Sequence, residues 1–148
     1  MQSLRQRPFD ALLLACLGSF VLGWLTFDVP TTLGFEPDGV AYYATRIDPY
    51  HLQMPFHIRM IITVAAVLYG PIYLVLAWGI YRDANWTWKL ALPFSGLLVA
   101  TTSIHMTADI TSSTPPLNLP AFVLFNGVYV VVGLLLMVRF VRAPRATP

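Results

Sequence analysis

Residues 121–141 read AFVLFNGVYVVVGLLLMVRFV, a stretch in which Arg139 is the one charged side chain. Crossing the hydrocarbon core of a bilayer takes about 20 mostly apolar residues in helical form. A lone β-strand is excluded, because its backbone N–H and C=O groups would have no partners in lipid. This stretch therefore predicts a transmembrane helix.

Three further stretches are long and apolar enough to cross a membrane in the same way: residues 10–27, 58–81 and 88–109. The connections between the four are a long first loop, a short turn and a Pro-rich loop: residues 28–57, 82–87 and 110–120. No internal repeat or low-complexity segment is visible. The sequence predicts an all-α, integral membrane four-helix bundle that forms one domain over residues 1–148.

The composition excludes several classes of protein. The chain is 57% hydrophobic and 11% charged, whereas soluble domains carry about 25% charged residues. A formal charge of +2, spread along the chain, is too small to indicate nucleic-acid binding. Cys16 is the single cysteine, so an internal disulfide is excluded. A membrane protein that does not bind nucleic acid is the prediction.

The basic residues predict which way the helices cross. With the N-terminus inside, seven basic residues face the cytoplasm, and Arg46 and Arg59 face the other side. Positive residues are retained on the cytoplasmic side during insertion, so both chain ends are expected there. Eight arginines against one lysine are typical of a high-GC bacterial source, which favours a bacterial inner membrane, or the endoplasmic reticulum in a eukaryote. The sequence does not decide between a monomer and a homodimer.

The third apolar stretch carries the densest set of polar residues. His105 and Asp109 are four residues apart and share a helix face, with Thr102 one turn below. Polar groups inside a membrane are costly and usually face protein or a cavity. One interpretation is a ligand cavity in which His105 and Asp109 act as catalytic acid and base. The alternative is that the hydroxyls bond to their own helix and Asp109 ends it among the headgroups.

The other spans offer candidate ligand-binding residues. Asp28 ends the first predicted helix, where it either pairs with a ligand or serves as an interfacial carboxylate. Pro71 removes a backbone hydrogen bond and kinks the second span, leaving the Val67 carbonyl free; its role is structural. The remaining candidates are aromatic or amide side chains within the spans: Trp24, Tyr69, Tyr73, Asn126 and Tyr129.

The long first loop holds the residues that a metal would need. Asp48, His51 and His57 could each supply a ligand, and Asp48-Pro49 is also a turn signal. The two histidines are six residues apart, so they do not share a helix face, and Pro55 lies between them. We predict no metal site and no cofactor, and a structural role for Asp48.

Taken in order, these residues resemble the EXPERA superfamily, the membrane domain shared by emopamil-binding protein, which is a sterol isomerase, and the sigma-2 receptor. Three features carry the resemblance, from about Asp28 to Tyr129. Tyr42-Tyr43 precedes Asp48-Pro49, Tyr69-Gly70-Pro71 follows at the family's spacing, and Asn126-x-x-Tyr129 is similar to a motif that lines the isomerase's sterol pocket. The resemblance implies a four-helix membrane domain and a lipid or sterol-like ligand.

The chain also departs from the family's pattern of acidic residues. The second-helix glutamates of the isomerase and of the receptor fall on Ile62 and Ala65. The isomerase's first-helix His and Glu fall near Ser19 and Leu22. Asp28 and Asp48 resemble the receptor's two aspartates, and Asp109 aligns with an acidic residue of the isomerase. The departures put sterol isomerisation by the family's mechanism in doubt.

Three functions follow, and one structural observation separates them. The favoured prediction is a protein that binds a sterol-like or isoprenoid lipid within the membrane. The alternatives are an isomerase or cyclase that protonates an alkene of such a lipid, and a structural membrane subunit. If Asp28, His105, Asp109 and Asn126 line one pocket of about 300–1,000 Å3, binding or catalysis is favoured. If they point to separate surfaces, the structural subunit is favoured.

Overall fold

The computed structural model of the protein describes residues 4–141. Within this range the chain is all helical, without a β-strand, as the sequence predicts. Four helices are long and apolar enough to cross a membrane: α1 (Pro8–Thr32), α4 (Phe56–Tyr81), α5 (Thr87–Ile110) and α6 (Leu119–Val141). Two shorter helices, α2 (Asp38–Arg46) and α3 (Tyr50–Gln53), lie in the first loop.

The first helix does not end at Asp28, so that prediction is wrong. A π turn over Trp24–Asp28 is followed directly by further helix to Thr32. In the π turn, the Val29 N–H donates to the carbonyl five residues earlier, at Trp24. The next residue is Pro30, which has no N–H to place, so the helix continues through it without an unpaired donor.

Helix α4 repeats this arrangement at the same depth in the bundle. Its π turn spans Ala65–Tyr69 and is followed by Gly70 and Pro71, and the Gly70 N–H donates to the Ala65 carbonyl. In this register Pro71 leaves the Ala66 carbonyl without a helical donor, rather than the Val67 carbonyl predicted from an α-helical register. The indole Nε1 of Trp24 donates to that Ala66 carbonyl at 2.7 Å. Both wide turns therefore meet, and a side chain of one completes the backbone bonding of the other.

The long spans pack around an apolar core that is thickest away from the π turns. Phe20 of α1 stacks on Tyr129 of α6 with ring centroids 4.2 Å apart, and lies 5.3 Å from the ring of Tyr73. Gly133 of α6 lies so close to Val99 of α5 that a Cβ there would be 2.7 Å from a Val99 methyl group. The buried apolar core consists of Leu13, Leu17, Phe20, Tyr69, Tyr73, Leu76, Ile80, Ala91, Phe94, Leu98, Val132, Leu136 and Phe140.

At one end of the bundle, charged side chains join the start of α1 to the end of α6. Asp10 is 2% exposed and accepts hydrogen bonds from Arg7 at 3.2 Å and from Arg139 Nη2 at 3.1 Å. Arg7 also donates to the carbonyls of Ile80 and Tyr81 at the end of α4. Three of the four spans are thus tied together at this end, which holds the start of α1 and the end of α6.

The first loop folds onto the opposite end of the bundle. Tyr43 and Ile47 of this loop are buried against Phe122 of α6. The Leu117 N–H, in the connection between α5 and α6, donates to the Ile47 carbonyl at 2.9 Å. This docking fixes the position of Asp48 and His51, which follow Ile47 along the chain.

Candidate functional site

A cavity of about 440 Å3 lies between the spans at the level of the two π turns, beneath the folded first loop. Its volume is within the range of about 300–1,000 Å3 typical of small-molecule sites. Much of its wall is aliphatic, including Ile58 and Ile62 of α4 and Leu98 of α5. The cavity therefore offers an apolar guest a largely apolar surface.

Most of the polar residues singled out in the sequence line this cavity. The predicted ligand-binding residues found in the wall are Asp28, Tyr69, Tyr73, Thr102, Asn126 and Tyr129, and His105 joins them. They come from α1, α4, α5 and α6, so the bundle brings together groups that are distant in sequence. Asp28 forms no hydrogen bond or ion pair with any other residue in the range 4–141.

Two of the predicted residues lie outside the wall. Trp24 packs against α4, where a Cβ on Gly70 would be 2.1 Å from its indole ring, and its Nε1 is occupied by the Ala66 carbonyl. Its position supports a role in joining the π turns. Asp109 lies behind His105, completely buried, with one carboxylate oxygen 3.3 Å from His105 Nδ1.

The wall also contains residues that were not among the predicted site residues, including Thr101 and Tyr43. The Thr101 hydroxyl donates to the Leu97 carbonyl in its own helix and accepts a hydrogen bond of 2.9 Å from the Tyr69 hydroxyl. Tyr43 reaches the cavity from the first loop, where its hydroxyl accepts a hydrogen bond of 2.9 Å from Asn126 Nδ2. Thr101 precedes the predicted Thr102 in the polar run of the third span, and Tyr43 belongs to the Tyr42-Tyr43 pair that carries part of the family resemblance.

Tyr43 closes the cavity on the loop side. Burial raises the pKa of its hydroxyl well above the ordinary value, and the hydrogen bond from Asn126 offsets only part of that effect. The hydroxyl is therefore neutral throughout the physiological pH range. It also accepts from Asn126 Nδ2, whose other hydrogen bond, to the Phe122 carbonyl at 3.0 Å, is within its own helix.

Behind the cavity wall, side chains from the loop and from α5 form a buried cluster of two aspartates and two histidines. Asp48 Oδ2 and His51 Nδ1 are 2.7 Å apart, and the rings of His51 and His105 have centroids 5.7 Å apart. Burial raises the pKa of Asp48, but the hydrogen bonds with His51, with Asp109 and from the backbone N–H of Tyr50 together outweigh it, so the pKa lies below its usual value. His51 and His105 line the cavity, and Asp48 and Asp109 lie behind them.

A protein-family model matches residues 40–140, which is more than half of the chain. Its description is EBP, the EXPERA (EXPanded EBP) superfamily. The chain belongs to the EXPERA family. A search of curated proteins and a search of solved structures returned no match. The resemblance read from Tyr42-Tyr43, Asp48-Pro49 and Asn126-x-x-Tyr129 is therefore confirmed at the level of the family.

In this EXPERA protein, the positions that the resemblance aligns with family glutamates lie in the cavity wall and are apolar. Ile62 and Ala65 both line the cavity from α4, and Ile62 is buried. The carboxylate at the cavity surface instead comes from α1, at Asp28. The departure from the family's acid pattern thus falls on the cavity itself.

Proposed function

We propose that this EXPERA-family membrane protein binds a sterol-like or isoprenoid lipid in the cavity between its spans. The observation that carries the proposal is the convergence of Asp28, His105 and Asn126 on one largely apolar cavity of about 440 Å3. Ligand sites in proteins are mostly apolar concavities with a few convergent polar groups. The fourth residue of the test, Asp109, does not line the cavity and lies behind His105. The structural-subunit alternative expected these side chains to point to separate surfaces.

The polar groups of the wall define the polar part of the ligand. Asp28 accepts from a hydroxyl or a cationic group, because its carboxylate has no partner among the described residues. The aliphatic wall of Ile58, Ile62 and Leu98 holds the hydrocarbon body. A half-buried carboxylate facing an apolar cavity is stabilised by a donor from its guest, which favours a lipid with one hydroxyl or amine over a pure hydrocarbon.

Replacing Asp28 with Asn tests this assignment. The amide keeps the size of the side chain and loses its charge, so we expect the co-purifying lipid to bind more weakly by up to about tenfold, or 1.4 kcal/mol. The measurement is mass spectrometry of lipid extracted from purified protein, followed by rebinding of the identified lipid. The matched control is Asp38→Asn, since Asp38 is exposed at the start of α2; it should leave binding unchanged.

Absence of any enriched lipid in the folded wild-type protein would contradict lipid binding. If Asp28→Asn and Asp38→Asn retain equal amounts of lipid, the protein binds lipid but Asp28 does not contribute to the binding site. Thermal unfolding in the same detergent separates both outcomes from a loss of fold.

A second candidate function is isomerisation or cyclisation of an alkene-bearing lipid, favoured by the position of His105. Its imidazole faces the cavity, with the Asp109 carboxylate behind it at 3.3 Å. The two groups are not in hydrogen-bond geometry in this structure, but a small movement would let the carboxylate orient the histidine for proton transfer, as general acid–base catalysis requires. The hydroxyl of Tyr129 lies in the same wall, where its ring could shelter a developing cation.

Turnover of the identified lipid by purified protein tests this candidate. If the protein is an enzyme, His105→Ala and Asp109→Asn should abolish product formation while the lipid still binds. Asp38→Asn should retain the wild-type rate. If the protein binds lipid but forms no product under any condition, it is a binding protein and not an isomerase or cyclase.

The distribution of basic residues supports a cytoplasmic location for both chain ends, since α1 begins and α6 ends at the ion-paired end of the bundle. Arg7 and Arg139 lie together at this end, with Asp10 between them, and Arg82 and Lys89 flank the turn at the same end. Retention of positive residues inside during insertion favours this orientation.

A further inference from the structure

The buried cluster behind the cavity wall has the composition of a metal site. It brings together Asp48 and His51 from the first loop and His105 and Asp109 from α5. Candidate ligand atoms of Asp48, His51 and Asp109 lie within 4.8 Å of one another. The sequence analysis considered His57 with Asp48 and His51 and predicted no metal site. The fold instead brings Asp109 to Asp48 and His51, from a span that is distant along the chain.

The hydrogen-bonding requirements of this cluster are not met by protein groups. Asp109 is completely buried, and its carboxylate oxygens accept no hydrogen bond from a donor group of the described residues; Nδ1 of His105 likewise has no hydrogen-bond partner among them. The neighbouring polar group is the Asp48 carboxylate, with which Asp109 can form a hydrogen bond only by sharing a proton. A buried carboxylate normally accepts hydrogen bonds or binds a cation, because leaving it bare is costly. The Asp109 carboxylate therefore needs either a proton or a bound cation to be stable in this buried position.

The charges in the cluster favour a cation. Asp48 and Asp109 are both 0% exposed, and in residues 4–141 their ion-pair partners are histidines, with neither arginine nor lysine. Two carboxylates so close together repel each other unless a proton or a positive ion lies between them.

The geometry points to a divalent transition metal, of the Zn²⁺ class, bound by Asp48, His51 and Asp109, and we propose this site. Imidazole and carboxylate ligands together suit Zn²⁺ and its neighbours, whereas Ca²⁺ and Mg²⁺ prefer oxygen alone. Ligand atoms at about 2.1 Å from zinc are at most ~4.2 Å apart, so the side chains need only small movements. His105 Nδ1 is 3.3 Å from Asp109 Oδ2, so it lies beside the site but outside the group of three candidate ligands.

The loop that carries two of the ligands is held rigidly, as a metal site requires. The Asp48 N–H donates to the Tyr43 carbonyl at 2.9 Å, and the preceding Ile47 carbonyl accepts from Leu117. A bound metal would therefore join this docked loop to α5 and brace the roof of the cavity. The site is independent of the lipid proposal, since its readout is metal content and not lipid.

Metal content of the purified protein tests the site. The full chain should be purified in detergent through a tag without histidine, from cells supplied with Zn²⁺, and analysed by mass spectrometry of the elements. We expect about one metal ion per chain. After removal of the metal with a chelator, titration with Co²⁺ should give the visible absorption bands of a low-symmetry nitrogen–oxygen site, and Zn²⁺ should displace them.

Four variants make the test specific. His51→Gln and Asp109→Asn should weaken Co²⁺ binding by about a hundredfold or more, because loss even of an outer partner costs 10–100-fold. His57→Gln and Asp38→Asn, which remove a nearby histidine and an exposed aspartate, should bind Co²⁺ as the wild type does. A folded wild-type protein without stoichiometric metal and without cobalt absorption would overturn the proposal, as would equal binding by His51→Gln and His57→Gln.

Discussion

Replacing Asp10 with Asn is expected to lower the free energy of unfolding by about 3 kcal/mol, the lower end of the cost of breaking a buried ion pair. Asp10 is almost fully buried and lies between Arg7 and Arg139. Its loss leaves two arginines facing each other without their shared carboxylate. The Arg139 side chain is 28% exposed, so water recovers part of the cost. Unfolding in mixed detergent micelles measures the difference.

The matched control for this variant is Asp83→Asn. Asp83 pairs with the same Arg7 at 3.3 Å, but its side chain is 48% exposed. Exposed pairs contribute at most about 1 kcal/mol, so this variant should be close to the wild type. Similar losses in the two variants would show that burial of Asp10 does not set the strength of this ion-pair network.

Replacing Ala65 with Trp is expected to remove nearly all of the bound lipid. Ala65 lines the cavity from the π turn of α4, and an indole ring there would occupy space that the proposed ligand needs. We expect binding to weaken by about a hundredfold, or 2.7 kcal/mol, which exceeds the effect expected for Asp28→Asn. The measurement is again the amount of lipid extracted from purified protein and its rebinding.

Ala100→Trp is the control for steric exclusion. Ala100 is an exposed residue of α5, and it does not line the cavity. The same enlargement there should leave lipid binding and elution of the protein in detergent unchanged. Full retention of lipid by a folded Ala65→Trp protein would place the lipid elsewhere, and the cavity would lose its proposed role.

The four spans were predictable because each depends on a property of one continuous segment. About 20 apolar residues suffice to place a helix in lipid, and the spans begin and end within a few residues of the prediction, except at Asp28. That error arose because Asp28 and Pro30 look like a helix end in a water-soluble chain. The π turn accommodates Pro30, and α1 continues to Thr32.

Parts of the candidate site were also visible in the sequence. A polar side chain in a long apolar stretch needs a partner, which singled out Asp28, Thr102, His105 and Asn126 without any knowledge of packing. All four line the cavity. Their roles stay predictions until ligand binding is measured. Trp24 was chosen on its aromatic ring alone, and the structure gives its indole another partner, the Ala66 carbonyl.

The sequence by itself determined that lipid is the solvent for four helices of this chain, because hydrophobicity and length act locally. Only the tertiary structure decided which polar groups meet, because those contacts join residues far apart in the chain. The meeting of Asp48 and Asp109 requires the first loop to fold against α5, and Asp10 meets Arg139 across 129 positions. Such pairings depend on how the helices pack against one another, and the spacing of residues along a single helix does not predict that packing.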